Sequence, residues 1–213
     1  MRFLLFALFL TITALTSAQQ MGVTDTGDKV ILYGDGRWVY AEKDSLRADD
    51  IPTNPKGFKK DKSADFLLKS TRTTAGFWLN PKTWTYTTPE DGAAAEYELD
   101  HKNGSLYALV ITEHLDLPLT SLGNIALENA REAAPDVKVT KKEYRTVNGK
   151  KVLMMRMVGT IQEIRFSYFG YYYTGHGISI QYLVYSSESF MEDNLSAVED
   201  LLNGLVDLSD KED

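Results

Sequence analysis

Glu113, His114 and Asp116 place three metal-ligating or proton-transferring side chains within four residues. Imidazole and carboxylate are common zinc ligands and common general bases. On an extended strand, however, neighbouring residues point to opposite faces, so only His114 and Asp116 would share one. A third ligand from His101 would require a particular strand register. The segment therefore reads first as exposed surface and second as the site of a metal-dependent or carboxylate-based hydrolase. The remaining histidine, His176, stands between Gly175 and Gly177, a setting that fits a hairpin turn better than a mobile catalytic base. There is no cysteine, which removes disulfides, thiolate metal sites and cysteine nucleophiles. Neither a Gly-x-Ser-x-Gly elbow, a phosphate-binding loop nor a Gly-x-Gly-x-x-Gly fingerprint occurs. These residues assign no catalytic group, no metal and no cofactor.

A second concentration of chemistry is aromatic. Between Phe166 and Tyr185, eight of twenty residues are aromatic. Three consecutive tyrosines cannot all face one core, so Tyr172 opposes Tyr171 and Tyr173. Two readings stay open. The rings pack inside a layered core, or Tyr171 and Tyr173, joined by Trp78 and Trp84, form a contact patch for a protein or glycan partner of the cell envelope. The chain carries 23 Lys+Arg against 30 Asp+Glu, a formal charge of −7. That balance argues against nucleic acid, whose binding needs a basic footprint.

Met1-Arg2, an apolar run through Leu15 and the small residues Thr16-Ser17-Ala18 have the order of a secretory signal. Polar Gln19-Gln20 end the run too early for a membrane-spanning helix, which needs about 20 apolar residues. An exported protein follows, periplasmic or secreted, with no membrane span after cleavage. Residues 19–40 hold two apolar runs around Gly34-Asp35-Gly36, a hairpin signal. That short pattern resembles a segment found near the N-termini of exported bacterial proteins. Residues 41–62 are rich in charge and broken by Pro52, Pro55 and Gly57, which predicts a mobile tether.

The elements that must position the candidate residues lie at 63–210, before a short tail at 211–213. Ser63–Lys69 reads as a short helix with Ser63 as N-cap. Strands follow at 76–79, 84–87, 94–100 and 106–113, and a helix from about Thr120 to Pro135. Asn148-Gly149 is the strongest hairpin signal, between strands at 137–147 and 151–159. Strands at 161–173 and 177–185 flank Thr174-Gly175-His176. A capping box, Ser189 with Glu192, opens a last helix striped by Met191, Leu195, Val198, Leu202 and Leu205. The order predicts an α+β domain: an antiparallel sheet covered by helices.

The strand at Gly76-Phe77, then Asn80-Pro81-Lys82-Thr83-Trp84, the Asn148-Gly149 hairpin and the closing strand and helix over Gly177–Leu208 resemble the PsbP-like fold superfamily, across residues 64–208. That superfamily includes photosystem II extrinsic proteins, a nuclear-import factor that binds a small GTPase, and exported bacterial proteins of unknown role. The resemblance implies an α-β-α sandwich, with the small N-terminal β-hairpin outside it, used as a non-enzymatic binding or accessory module. It carries no functional residues to this chain.

The signal reading is tested by N-terminal sequencing of native protein. Cleavage after Ala18 leaves Gln19 as the first residue; a retained Met1 would contradict it.

Overall fold

A computed structural model describes residues 20–23, 29–32, 38–40, 46, 51–90 and 92–209. The signal at 1–18, the hairpin turn at 34–36, most of the tether before Ile51 and the tail at 211–213 lie outside these residues. The chain divides into two compact units, Met1–Ser45 and Leu46–Asp213. In the first, β1 (Gln20–Val23), β2 (Lys29–Leu32) and β3 (Trp38–Tyr40) form an antiparallel sheet in that order. The expected hairpin is the β2–β3 pair, and β1 adds a strand to it.

The second unit starts with β4 (Thr53–Phe58), inside the stretch read as a tether. Its Phe58 is buried, as are Leu46 and Ile51 beside it. Three apolar side chains spaced among charges are enough to bring this segment onto the domain. Next comes β5 (Phe66–Lys69), where a helix was expected. Ser63 is no N-cap: its N–H and hydroxyl both donate to Asp61 Oδ1, closing a turn. Leu68 is buried opposite Phe77, so the segment is a strand by its pairing. There follow β6 (Ala75–Leu79), β7 (Trp84–Thr87), β8 (Tyr97–His101), β9 (Tyr107–Glu113), α1 (Leu119–Ala133), β10 (Lys138–Val147), β11 (Lys150–Ile161), β12 (Ile164–Gly175) and β13 (Ile178–Ser187).

The expected final helix is two. Helices α2 (Glu188–Asp193) and α3 (Leu195–Leu202) break at Asn194, and Leu205 belongs to a strand, β14 (Leu205–Asp207). No side-chain cap forms at Ser187, the residue before α2. Glu192, expected to close a capping box, instead pairs with Arg156. Because α2 begins at Glu188, Ser189 lies inside the helix and cannot cap it.

The large sheet runs β4-β10-β11-β12-β13-β9-β8-β7. It is mixed, not purely antiparallel, because β4 joins β10 in parallel. From β10 to β13 it is a meander with three two-residue turns, at Asn148-Gly149, Gln162-Glu163 and His176-Gly177, all at positive φ between 47° and 85°. Paired positive φ values match the strand twist at such turns. The last turn is thus His176-Gly177, with Gly175 still in β12. Asn148 also ties the meander to its surroundings. Its side-chain amide donates to the carbonyls of Asn203 (2.7 Å) and Leu205 (2.9 Å), and its Oδ1 accepts from the Lys60 N–H (3.0 Å).

Alternation in the strands divides the core in two. On one face Leu153, Met155 and Tyr172 pack with Leu122, Ala126 and Leu127 of α1. On the other Met154, Tyr171, Tyr173 and Tyr182 pack with Met191, Val198 and Leu202 of α2 and α3. The same layer includes Phe77, Leu79 and Leu205 from a second sheet, ordered β14-β6-β5. The architecture is therefore a large mixed sheet with a few helices, one face shared between short helices and a small sheet, in place of a plain helix-sheet-helix sandwich.

Small-sheet closure depends on Gly204. The Trp78 N–H donates to its carbonyl at 2.9 Å. A Cβ there would lie 1.9 Å from the Trp78 carbonyl oxygen and 3.0 Å from that of Leu201. Backbone cannot yield as a side chain does, so Gly204→Ala is expected to cost about 3 kcal/mol. Urea denaturation reads it, and an unchanged midpoint would contradict the close approach.

Candidate functional site

Glu113, His114 and Asp116 are all exposed at the end of β9 and in the segment after it. They do not converge with another ligand: among the described residues no group of three or more His, Asp or Glu side chains is arranged to hold a metal ion. Tyr171 and Tyr173 do not face solvent. Both are buried, Tyr171 completely, and so is Tyr172 on the opposite face. The Tyr173 hydroxyl donates to Asp207 at 2.8 Å. Trp84 is buried against His101, ring centroids 4.9 Å apart at 80°. Together they wall a cavity of about 120 Å³ shared with Asp61, Asn80 and Asp200. Trp78 is half-buried beneath the Lys60 ammonium, 4.8 Å from its ring centre. The four aromatic residues thus serve packing, and they do not make one surface.

Among the described residues three polar clusters each centre on a buried charged side chain, Arg145, Glu96 or Asp207, and each has a structural task. Arg145 is buried, its Nε donating to Glu143 (2.6 Å) and its Nη1 to the Tyr171 hydroxyl (2.8 Å) and to Glu199 (2.8 Å). Burial pushes the Tyr171 phenol up to about 12, although Arg145 opposes the shift. Glu96 is buried. It accepts from the Thr71 N–H (2.6 Å), the Ser70 hydroxyl (2.8 Å) and the Thr112 hydroxyl. Burial raises its carboxyl, but these donors outweigh burial and hold it below its ordinary range.

The third cluster, Asp207 with His176 and Ser209, has the residue types of a hydrolytic triad. Asp207 Oδ2 lies 2.7 Å from His176 Nδ1, and the Ser209 hydroxyl lies 2.9 Å from that same nitrogen. A serine relay needs the serine on one ring nitrogen and the carboxylate on the other. With both on Nδ1, the cluster fastens β14 to the β12–β13 turn and does not activate a nucleophile.

Beside α1, one sheet face carries partly exposed side chains. Helix α1 covers β11 and β12, and the same face continues across β13, β9, β8 and β7. Strand register places Tyr168, Tyr185, Tyr107 and Asp100 side by side across four strands. The row beside it is Gly170, Leu183, Leu109 and Glu98. Tyr107 and Tyr185 stack with centroids 5.6 Å apart, and Tyr168 follows at 6.3 Å from Tyr185. Tyr107 is 39% exposed, while Tyr168, Tyr185, Leu109 and Leu183 are half-buried. The aromatic richness of 166–185 pointed at this segment. Which of its tyrosines reach solvent depended on where α1 ends, and Tyr107 comes from another strand altogether.

No protein-family profile matches the sequence, and a comparison with curated proteins finds no match. Solved structures do resemble the fold. The solution structure of cyanobacterial PsbP (CyanoP) from Synechocystis sp. PCC 6803 superposes with a TM-score of 0.52 at 12% identity, covering 68% of this chain and 94% of that one. PA94 of Pseudomonas aeruginosa, a protein of unknown function, gives 0.42 at 11% identity over 66% and 95%. LpqN of Mycobacterium tuberculosis, described as involved in cell envelope biogenesis, gives 0.45 at 11% identity over 66% and 88%. The chain has a PsbP-like fold, as the sequence resemblance implied. Among the described residues no helix is long and apolar enough to cross a membrane.

The Asp207 cluster makes a pH prediction. Burial raises this carboxyl, but hydrogen bonds from His176, the Ser209 N–H, Thr74 and Tyr173 outweigh it and hold it well below its ordinary value. A carboxyl depressed in the folded state stabilises above its unfolded pKa of about 3.9, and that contribution fades as pH falls towards the folded value. Asp207→Asn should cost about 1–3 kcal/mol at neutral pH. It should also flatten the loss of stability below about pH 4. Denaturation midpoints of the two proteins from pH 2 to 7 check this; parallel curves would reject the role of Asp207.

Proposed function

We propose that this protein is an exported, non-enzymatic binding or accessory module of the cell envelope, and that it meets its partner on the open sheet face at Tyr107, Tyr168 and Tyr185. The observation that carries the reading is the stacked tyrosine rank lying partly in solvent beyond the edge of α1. Tyrosine gives large contact area for few rotatable bonds, and its polar tip tolerates water while no partner is bound. Rings presented by three paired strands are held in place before binding, so little further ordering entropy is lost. Export rests on the signal at Met1–Ala18. The exposed placement of Glu113, His114 and Asp116, with no further ligand converging on them, gives hydrolysis no comparable support, since chemistry needs several polar groups meeting in one cleft.

The test is Tyr107→Ala combined with Tyr185→Ala, with Tyr86→Ala as control. Tyr86 is 42% exposed, on the opposite face. Capture of envelope components by the full chain should drop at least tenfold in the double variant and stay unchanged in the control. The double variant should lose only about 1–2 kcal/mol, because these rings are not fully buried. Undiminished capture by the double variant would move the contact elsewhere.

A further inference from the structure

Resting on that reading of the face, we propose that its occupant is an extended polypeptide segment carrying arginine or lysine, its basic side chain set at the Asp100–Glu98 end of the tyrosine rank. The geometry is asymmetric. Both cross-strand rows run from the margin of α1 through apolar side chains and end in a carboxylate, Asp100 beyond Tyr107 and Glu98 beyond Leu109. Beyond them Thr85 and Thr87 of β7 finish the sheet, and Glu113 stands further along β9. The positions on this face of β7, β8, β9 and β13 hold no lysine or arginine. Glu98 and Asp100 are exposed, and among the described residues neither has an ion-pair partner.

A partner seated on Tyr107 and Leu109 would also cover these two carboxylates. Taking an ionised carboxylate out of water costs several kcal/mol unless a cation or several donors replace the lost hydration. An anionic chain would add repulsion. A guanidinium answers both demands: it lies flat on a tyrosine ring and forks onto a carboxylate. The reach also fits. Three interstrand steps from Tyr168 to Asp100 span about 14 Å, the length of four or five extended residues. An apolar residue over the Leu109–Leu183 pair and a basic residue about two positions away, on the same side of the extended chain, would satisfy both ends. The acids' field reaches the middle of the rank: burial first, and then Glu98 and Asp100, raise the Tyr185 phenol.

The experiment pans a library of random twelve-residue peptides on the full chain. Every selected peptide is then measured on wild type, on Tyr107→Ala/Tyr185→Ala and on Glu98→Gln/Asp100→Asn. The second pair lies on exposed side chains, so it leaves folding intact, and denaturation of all three proteins verifies this. Tyrosine-dependent peptides should be enriched in arginine or lysine. They should weaken at least tenfold on Glu98→Gln/Asp100→Asn and weaken again when salt is raised. Tyrosine-dependent peptides without basic residues, or with affinity unchanged on the carboxylate variant, would overturn the inference and leave the binding face standing. Absence of any tyrosine-dependent peptide would overturn it too. Neutral and acidic oligosaccharides, and sedimentation to detect self-association, are then run on the same variants. Tyrosine-dependent binding in either keeps the face as a contact surface with a different occupant, and none in both removes the face as well.

Discussion

A guanidinium shut between the large sheet and α3 sets terms that the surrounding elements have to meet. Arg145 cannot shed its proton, and a buried charge without partners is among the costliest features a fold can hold. Its acceptors therefore come from three directions: Glu143 on the same strand, Tyr171 on β12 and Glu199 on α3. Two of these acceptors are held in turn, Glu143 by Asn54 and the Tyr171 hydroxyl by Asn203. The ring of Phe58 lies 4.4 Å from the guanidinium carbon. Through this one side chain, β4 at the sheet edge, the central strands and the C-terminal helix are fixed relative to one another. Such networks add little net stability, but breaking one partner leaves the charge stranded, at about 3–5 kcal/mol.

The same network explains where sequence reading succeeds and where it stops. Asn148-Gly149 was legible because the turn needs only two positive φ values, and Asn-Gly supplies them locally. Helix α1 was legible from its apolar spacing. The segment holding Leu46, Ile51 and Phe58 was not, because its charges dominate any short window while three side chains decide its fate through contacts with α1 and β10. Ser63–Lys69 looked helical by its first residue and became a strand by its pairing with β6. The C-terminal stripe looked like one helix until Leu205 was taken by β14. Each misreading is a local preference overridden by a partner distant in sequence.

The candidate site shows the same boundary. Alternation correctly set Tyr172 against Tyr171 and Tyr173, yet burial of all three followed from layers on both sides of β12. Exposure belongs to the portion of the sheet that α1 does not reach, a question of helix length and placement that no strand pattern contains. Glu96 is a similar case. It is the buried anchor of the Ser70–Thr71 turn, although Glu98 and Asp100, two and four residues on, are exposed. Its donors, Ser70, Thr71 and Thr112, are short hydroxyl residues with no distinctive local signature.

The position of β14 has a consequence for the order of events in time. The meander from β10 to β13 is joined by three two-residue turns, so its contacts are local and can form as the chain appears. The small sheet is different: β14 pairs with β6, and Thr74 bonds to Asp207 across 133 residues. Nothing can complete that sheet until β14 has been made. Nor can Asn148 find the carbonyls of Asn203 and Leu205, or Arg145 its Glu199, before those residues exist. A chain made N-terminus first thus completes most of its length while its central guanidinium has Glu143 and Tyr171 but not yet Glu199. The small sheet and the guanidinium network close only when α3 and β14 arrive.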